Sequence, residues 1–247
     1  SGINMSGGQF LVGTGVTIGV AGIATFRSGR VDVGDSLNNT SIGQVAGDAH
    51  TTGQQNIAVG NYSLGSNTTG QQNTALGYSA LYNNTTGDYN SVLGSTALDH
   101  NTTGASNVAI GYAANALEAT TTGHSNTAVG KSALNANTAS SITAVGYFAL
   151  KANTTGTKNV ALGYNALLTS ETASNNTALG YDALKLNTTG VENTAVGSEA
   201  LDANTTGREN TSIGYVALGA NTTGDNNTAV GRSALGANTT AVFSTPV

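Results

Sequence analysis

Asn176-Thr-Ala-Leu-Gly-Tyr-Asp-Ala-Leu-Lys-Leu-Asn-Thr-Thr-Gly-Val-Glu192 decides the fold, because the next seventeen residues repeat it almost word for word. The repetition starts at Asn39. The glycine at the fifth place of the unit falls at positions 43, 60, 77, 94, 111, 130, 146, 163, 180, 197, 214 and 231. The spacing is 17 except in the copy starting at Asn107, which is two residues longer, and the copy starting at Asn126, which is one shorter. A fixed period this short predicts a solenoid in which each copy is one coil.

The pattern within a copy predicts strand rather than helix. Place four is always a large aliphatic, as in Val129, Val145, Leu162, Leu179, Val196 and Ile213. Place three is Ala or Ser apart from Val92, and place two is Thr, Ser, Val or Ile. Places two and four share one face and place three the other, which is period two. A glycine at place five and a recurring Asn-Thr-Thr-Gly leave no room for a helix of useful length. The pair Ala-Leu at places eight and nine reads as a second short strand. On hydropathy the aliphatics of place four are the core, with Val129, Val145, Leu162, Leu179, Val196 and Ile213 pointing into the coil. The fold expected is all-β: a parallel β-roll or β-solenoid of about twelve 17-residue coils, with coils about 4.8 Å apart. The asparagine at place one, absent only where Ile142 stands, is expected to stack into a hydrogen-bonded ladder.

The chain divides into a glycine-rich β connector (1–38), the repeat domain (39–240) and a C-terminal edge (241–247) that reads as the edge of a longer chain. The connector carries short apolar runs between glycines, such as Phe10-Leu-Val12 and Ile23-Ala-Thr-Phe26. Large apolar residues are too sparse for a compact globule of 247 residues, with aromatics at 5%. That thin core, with small residues at places three and eight, points to close approach by a second copy of the chain. With no cysteine, disulfides are excluded. A net charge of −5 without a basic patch argues against nucleic acid as partner. The most apolar run, 11–26, is broken by four glycines and is too short to span a membrane.

The strand Ser106-Asn-Val-Ala-Ile-Gly111 resembles the head repeats of trimeric autotransporter adhesins. The resemblance covers 39 to about 240. It implies a left-handed parallel β-roll and a side-by-side homotrimer. The spacing departs from that family, whose heads mostly use a shorter unit. The longer form with Gly-Tyr-x-Ala-Leu and Asn-Thr-Thr-Gly is similar to repeats of phage tail-fibre proteins, and 11–26 is similar to phage connectors. The resemblance therefore implies a non-enzymatic structural and attachment fibre module on a virion or extracellular surface. Its partners would be itself and a host-surface glycan or protein. A bacterial adhesin head and an ice-binding solenoid with stacked threonines are the alternatives.

Motifs for chemistry are missing from the sequence. Val129-Gly-Lys-Ser132 lacks the earlier glycine of a phosphate loop, since position 125 is serine. His50, His100 and His124 fall in different coils, away from metal-ligand spacing. Glu192 and Glu209, and Asp182 and Glu199, stack in adjacent coils, but on edges and turns, where solvated carboxylates are the ordinary reading. No catalytic residue, cofactor or metal is expected. Recognition is placed at the sixth position, where Tyr147, Tyr164, Tyr181 and Tyr215 stand. The same place takes Lys131 and Arg232, which are seldom fully buried, so the corner should be exposed. Tyr147, Tyr164 and Tyr181 occupy consecutive coils and should form an aromatic column in steps of about 5 Å.

Overall fold

The computed structural model describes residues 36–114 and 122–244. Nearly all of the connector read at 1–38, and residues 115–121 of the long copy, lie outside the described residues. Among these the regular elements are twelve three-residue strands, from β1 (Thr40–Ile42) to β12 (Thr228–Val230), and no helix. They form one parallel sheet in strict chain order. β9 (Thr177–Leu179), β10 (Thr194–Val196) and β11 (Thr211–Ile213) show the register: Ala178 pairs with Ala195 and then Ser212, Leu179 with Val196 and then Ile213. The irregular copies do not disturb it. β5 (Val108–Ile110) pairs place for place with β6 (Thr127–Val129), and β6 with β7 (Thr143–Val145). The extra residues are thus absorbed outside the strands. Stacking continues past 240, since Thr228 N–H donates to Ser244 O at 2.8 Å.

The second strand expected at places eight and nine does not form. Asp182 and Leu184 have φ of 52° and 50°, and equivalent residues in the other copies are alike. These left-handed residues turn the chain at a corner, where a strand needs extended backbone. Glu192, with φ 60°, makes the last corner before the next strand. At Gly180, with φ 143°, a Cβ would run into the carbonyl oxygen of Gly197 one coil on, so the coils touch there backbone to backbone.

The inner face is the reverse of the one hydropathy suggests. Ala178, Ala195 and their counterparts at place three are fully buried, as are Ala183 and Leu184 at places eight and nine. Leu162, Leu179 and Ile213 are 44, 41 and 40% exposed, and Val129, Val145 and Val196 are half-buried. The six aliphatics expected as core therefore lie on the outside of the coil. The physical reason is space. A three-residue strand between two corners turns only its middle side chain inward, and the interior of a 17-residue coil already holds a leucine and two asparagines. Alanine is what fits beside them. Leu184, Leu201 and Leu218, with the alanines, make one continuous buried cluster along the stack.

Two asparagine columns complete the interior, one at place one as expected and a second at place twelve. Asn193 Nδ2 donates to Gly207 O (2.8 Å) and to Asn176 Oδ1 (3.3 Å). Its Oδ1 accepts from the Asn210 backbone N–H at 3.0 Å and from Asn210 Nδ2 at 3.1 Å. Each side chain thereby satisfies backbone groups that the short strand leaves over. The second column has a fault at Ser170, which stands between Asn153 and Asn187. Asn153 Oδ1 and Ser170 Oγ are buried with no hydrogen-bond partner. Ser170→Asn should restore the donor that Asn204 gives Asn187 Oδ1 at 2.8 Å. The expected gain is about 1–2 kcal/mol, read as a higher melting temperature. A lower melting temperature would mean that the column is not what holds the coils together.

Candidate binding face

Because place three points inward, places two, four and six point outward along one side of the sheet. Place four makes an unbroken aliphatic stripe, and from Ile42 to Val230 its members are exposed or half-buried. Adjacent members sit in register on neighbouring strands, so the stripe runs about 53 Å over eleven strand steps. Place two flanks it with threonines and with Ile57, Val108 and Val160.

Place six makes the second column. Tyr147 and Tyr164 stack with centroids 5.2 Å apart and planes 10° apart; Tyr164 and Tyr181 do so at 5.4 Å and 9°. Tyr164, Tyr181 and Tyr215 are exposed and Tyr147 is half-buried, with Phe148 tilted against it at 3.9 Å. Since these rings stack along the line of coils, neighbours share faces and present edges to solvent. Lys131, the lysine of the incomplete phosphate loop, belongs to this column. Its Nζ lies 5.9 Å from the ring centroids of both Tyr112 and Tyr147. Arg232 lies over Tyr215, with Cζ 5.7 Å from the centroid. Sequence reading placed the tyrosines but not these cation–π pairs; the signal for them was lysine and arginine alternating with tyrosine at one place of the repeat.

Beside the column stand the carboxylates of Asp182, Glu199 and Asp202. Asp182 accepts from Lys185 Nζ at 2.8 Å and from Asn165 Nδ2 at 3.0 Å. Its hydrogen bond to Lys185 raises the lysine pKa. Burial, with the charge of Glu199 adding to it, lifts the Asp202 carboxyl above the ordinary range. Glu192 and Glu209 are exposed on the far turn. His100 Nδ1 lies 2.8 Å from Asp99 Oδ1. Among the described residues no group of three or more His, Asp or Glu is placed to hold a metal ion, and no helix is long and apolar enough to cross a membrane.

Comparison with protein families, with curated proteins and with solved structures finds no match to this chain.

Proposed function

We propose that the chain is a non-enzymatic module of an attachment fibre, phage tail fibre being the first reading and a bacterial adhesin head the alternative. Three copies lie side by side on an extracellular or virion surface and display a host-binding face. The observation that carries this is the aliphatic stripe. Monomeric proteins seldom leave an apolar patch of such length uncovered. Whatever covers it must offer an apolar side chain at every strand step over about 53 Å. A second copy of this chain does so, and a closed ring of three buries every stripe. The alanines of places three and eight, expected at the contact, take no part, because Ala183 and Ala195 are sealed inside the coil.

Tyr147, Tyr164, Tyr181 and Tyr215 are the proposed receptor contacts, beside the stripe and repeated in each copy. Repetition makes weak contacts strong by multivalency. Ice binding gains less from the geometry. In most of the Asn-Thr-Thr turns the first threonine spends its hydroxyl within the stack, as Thr188 Oγ1 does on Thr205 O at 2.9 Å. The second threonines, as at Thr189, Thr206 and Thr223, are exposed beside them. The test is adsorption of labelled protein to a panel of bacterial surfaces and arrayed glycans. The expected result is saturable adsorption that is lost in the triple variant Tyr147→Ser, Tyr164→Ser, Tyr181→Ser, with melting within a few degrees of the parent. Adsorption to no surface, or undiminished adsorption by the triple variant, would contradict the reading.

A further inference from the structure

Place six runs Tyr112, Lys131, Tyr147, Tyr164, Tyr181, Ser198, Tyr215, Arg232 along the last eight coils. Where a tyrosine follows a tyrosine, the rings stack on each other. Where one residue intervenes, two rings stand two coils apart. This happens twice here, and the two cases differ in what lies between. Between Tyr112 and Tyr147 lies the ammonium of Lys131, equidistant from both rings. Between Tyr181 and Tyr215 lies Ser198, whose side chain is too short to cover either ring.

Both walls of that second gap are fixed by their other faces. Tyr181 gives one face to Tyr164, in a stack only 9° from parallel, and its opposite face looks toward the coil of Ser198. Tyr215 gives one face to Arg232 from the following coil, and its opposite face looks back toward Ser198. The two rings are two strand steps apart, about 10 Å. A group midway between them lies about 5 Å from each centroid, inside the ~6 Å reach of a cation–π contact. Both tyrosines are exposed, so the gap opens to solvent.

We propose that Tyr181, Ser198 and Tyr215 form a binding slot for a quaternary ammonium group of the choline type. Lys131 shows the chemistry, because the same column already holds a cation between two tyrosines. The flanking charge agrees with it. Glu199 follows Ser198 in the chain, Asp182 follows Tyr181, and Asp202 lies close enough to both to respond to their charge. Lys185, bound to Asp182, offsets one of these three carboxylates, and Arg232 is on the far side of the Tyr215 ring. Size selects the methylated cation. A free ammonium midway between the rings touches neither and keeps its water, whereas that of Lys131 is held beside its two rings by its own side chain. Three or four methyl groups fill the space, carry the positive charge to both ring faces and shed little hydration. Tyr78, Ser95 and Tyr112 share this spacing, but Tyr78 meets Tyr62 at 81° where Tyr181 has a parallel stack behind it.

The slot deepens the attachment reading by naming a receptor chemistry, but it uses the residues of one chain only. The test is titration of the intact chain, its tyrosine rings isotope-labelled, with tetramethylammonium, methylammonium and the neutral isostere 3,3-dimethylbutan-1-ol, followed by NMR. Saturable shifts of the Tyr181 and Tyr215 rings are expected with tetramethylammonium at millimolar concentration. Methylammonium and the alcohol should be at least tenfold weaker. Tyr215→Ser should weaken binding at least tenfold. Ser198→Lys places in the gap the residue that the Tyr112–Tyr147 gap already accommodates, and should abolish binding with melting unchanged. Equal response to the alcohol, absence of saturation, or undiminished binding by folded Ser198→Lys would overturn the proposal. Mass measured on the same samples separates a failed slot from a failed assembly.

Discussion

Ala195→Asp is expected to abolish cooperative unfolding, and Val196→Asp to preserve it. The two residues are neighbours on one strand and differ only in the side to which they point. Ala195 is fully buried between Ala178 and Ser212 in the in-register stack. A carboxylate there has no cation to pair with and no room, so the expected loss is more than about 4 kcal/mol. In a solenoid each coil is held by its two neighbours, and one failed coil separates the stack on either side of it. Val196 lies on the outer face between Leu179 and Ile213. In a single chain its aspartate reaches water and costs less than about 1 kcal/mol. Circular dichroism melting of both variants decides this. Normal melting of Ala195→Asp beside collapse of Val196→Asp would mean that the faces are assigned the wrong way round.

Asn193→Asp should be nearly as damaging, although it changes one atom of the side chain. Asn193 Nδ2 donates to Gly207 O and Asn176 Oδ1, and a carboxylate donates to neither. It would set three oxygens against one another in a fully buried position. The expected loss at neutral pH is about 3–5 kcal/mol. Burial holds such a carboxyl above its unfolded pKa. The destabilisation therefore grows as pH rises through the unfolded value and is relieved in acid, where both states are protonated. Thermal melts from pH 4 to 8 should show the variant approaching the parent only at the acidic end. A pH-independent difference would point to lost packing rather than to a buried charge.

The period, and with it the stacking of one sheet in chain order, was legible from the glycines of place five alone. So was the first asparagine column, since identical amides at every strand step have few other uses. The direction of the strand was not. Alternation over three residues is symmetric: large-in with small-out and small-in with large-out give the same pattern. Hydropathy prefers the first, and a coil this narrow enforces the second. A finer signal was present in how the places vary. Place four exchanges Ile, Val and Leu freely, as a surface or a loose contact allows. Place nine is Leu in every copy except the first and the fifth, as a tightly shaped interior requires. The corner at places seven to nine was hidden because residues such as Val216 and Leu184 carry no propensity for left-handed backbone. The tyrosine column of place six could be placed by sequence. The slot at Ser198 could not, since its walls depend on which way two rings face.

The stripe of place four needs an apolar partner surface, and the molar mass in solution shows whether further copies of the chain supply it. Light scattering on the intact chain at micromolar concentration should give three times the 24.4 kDa of one chain. Val196→Asp, still folded, should fall to a single chain, because its charge interrupts the stripe between Leu179 and Ile213. A parent mass of 24.4 kDa at that concentration would mean that no second copy covers the stripe, contrary to the trimer proposed.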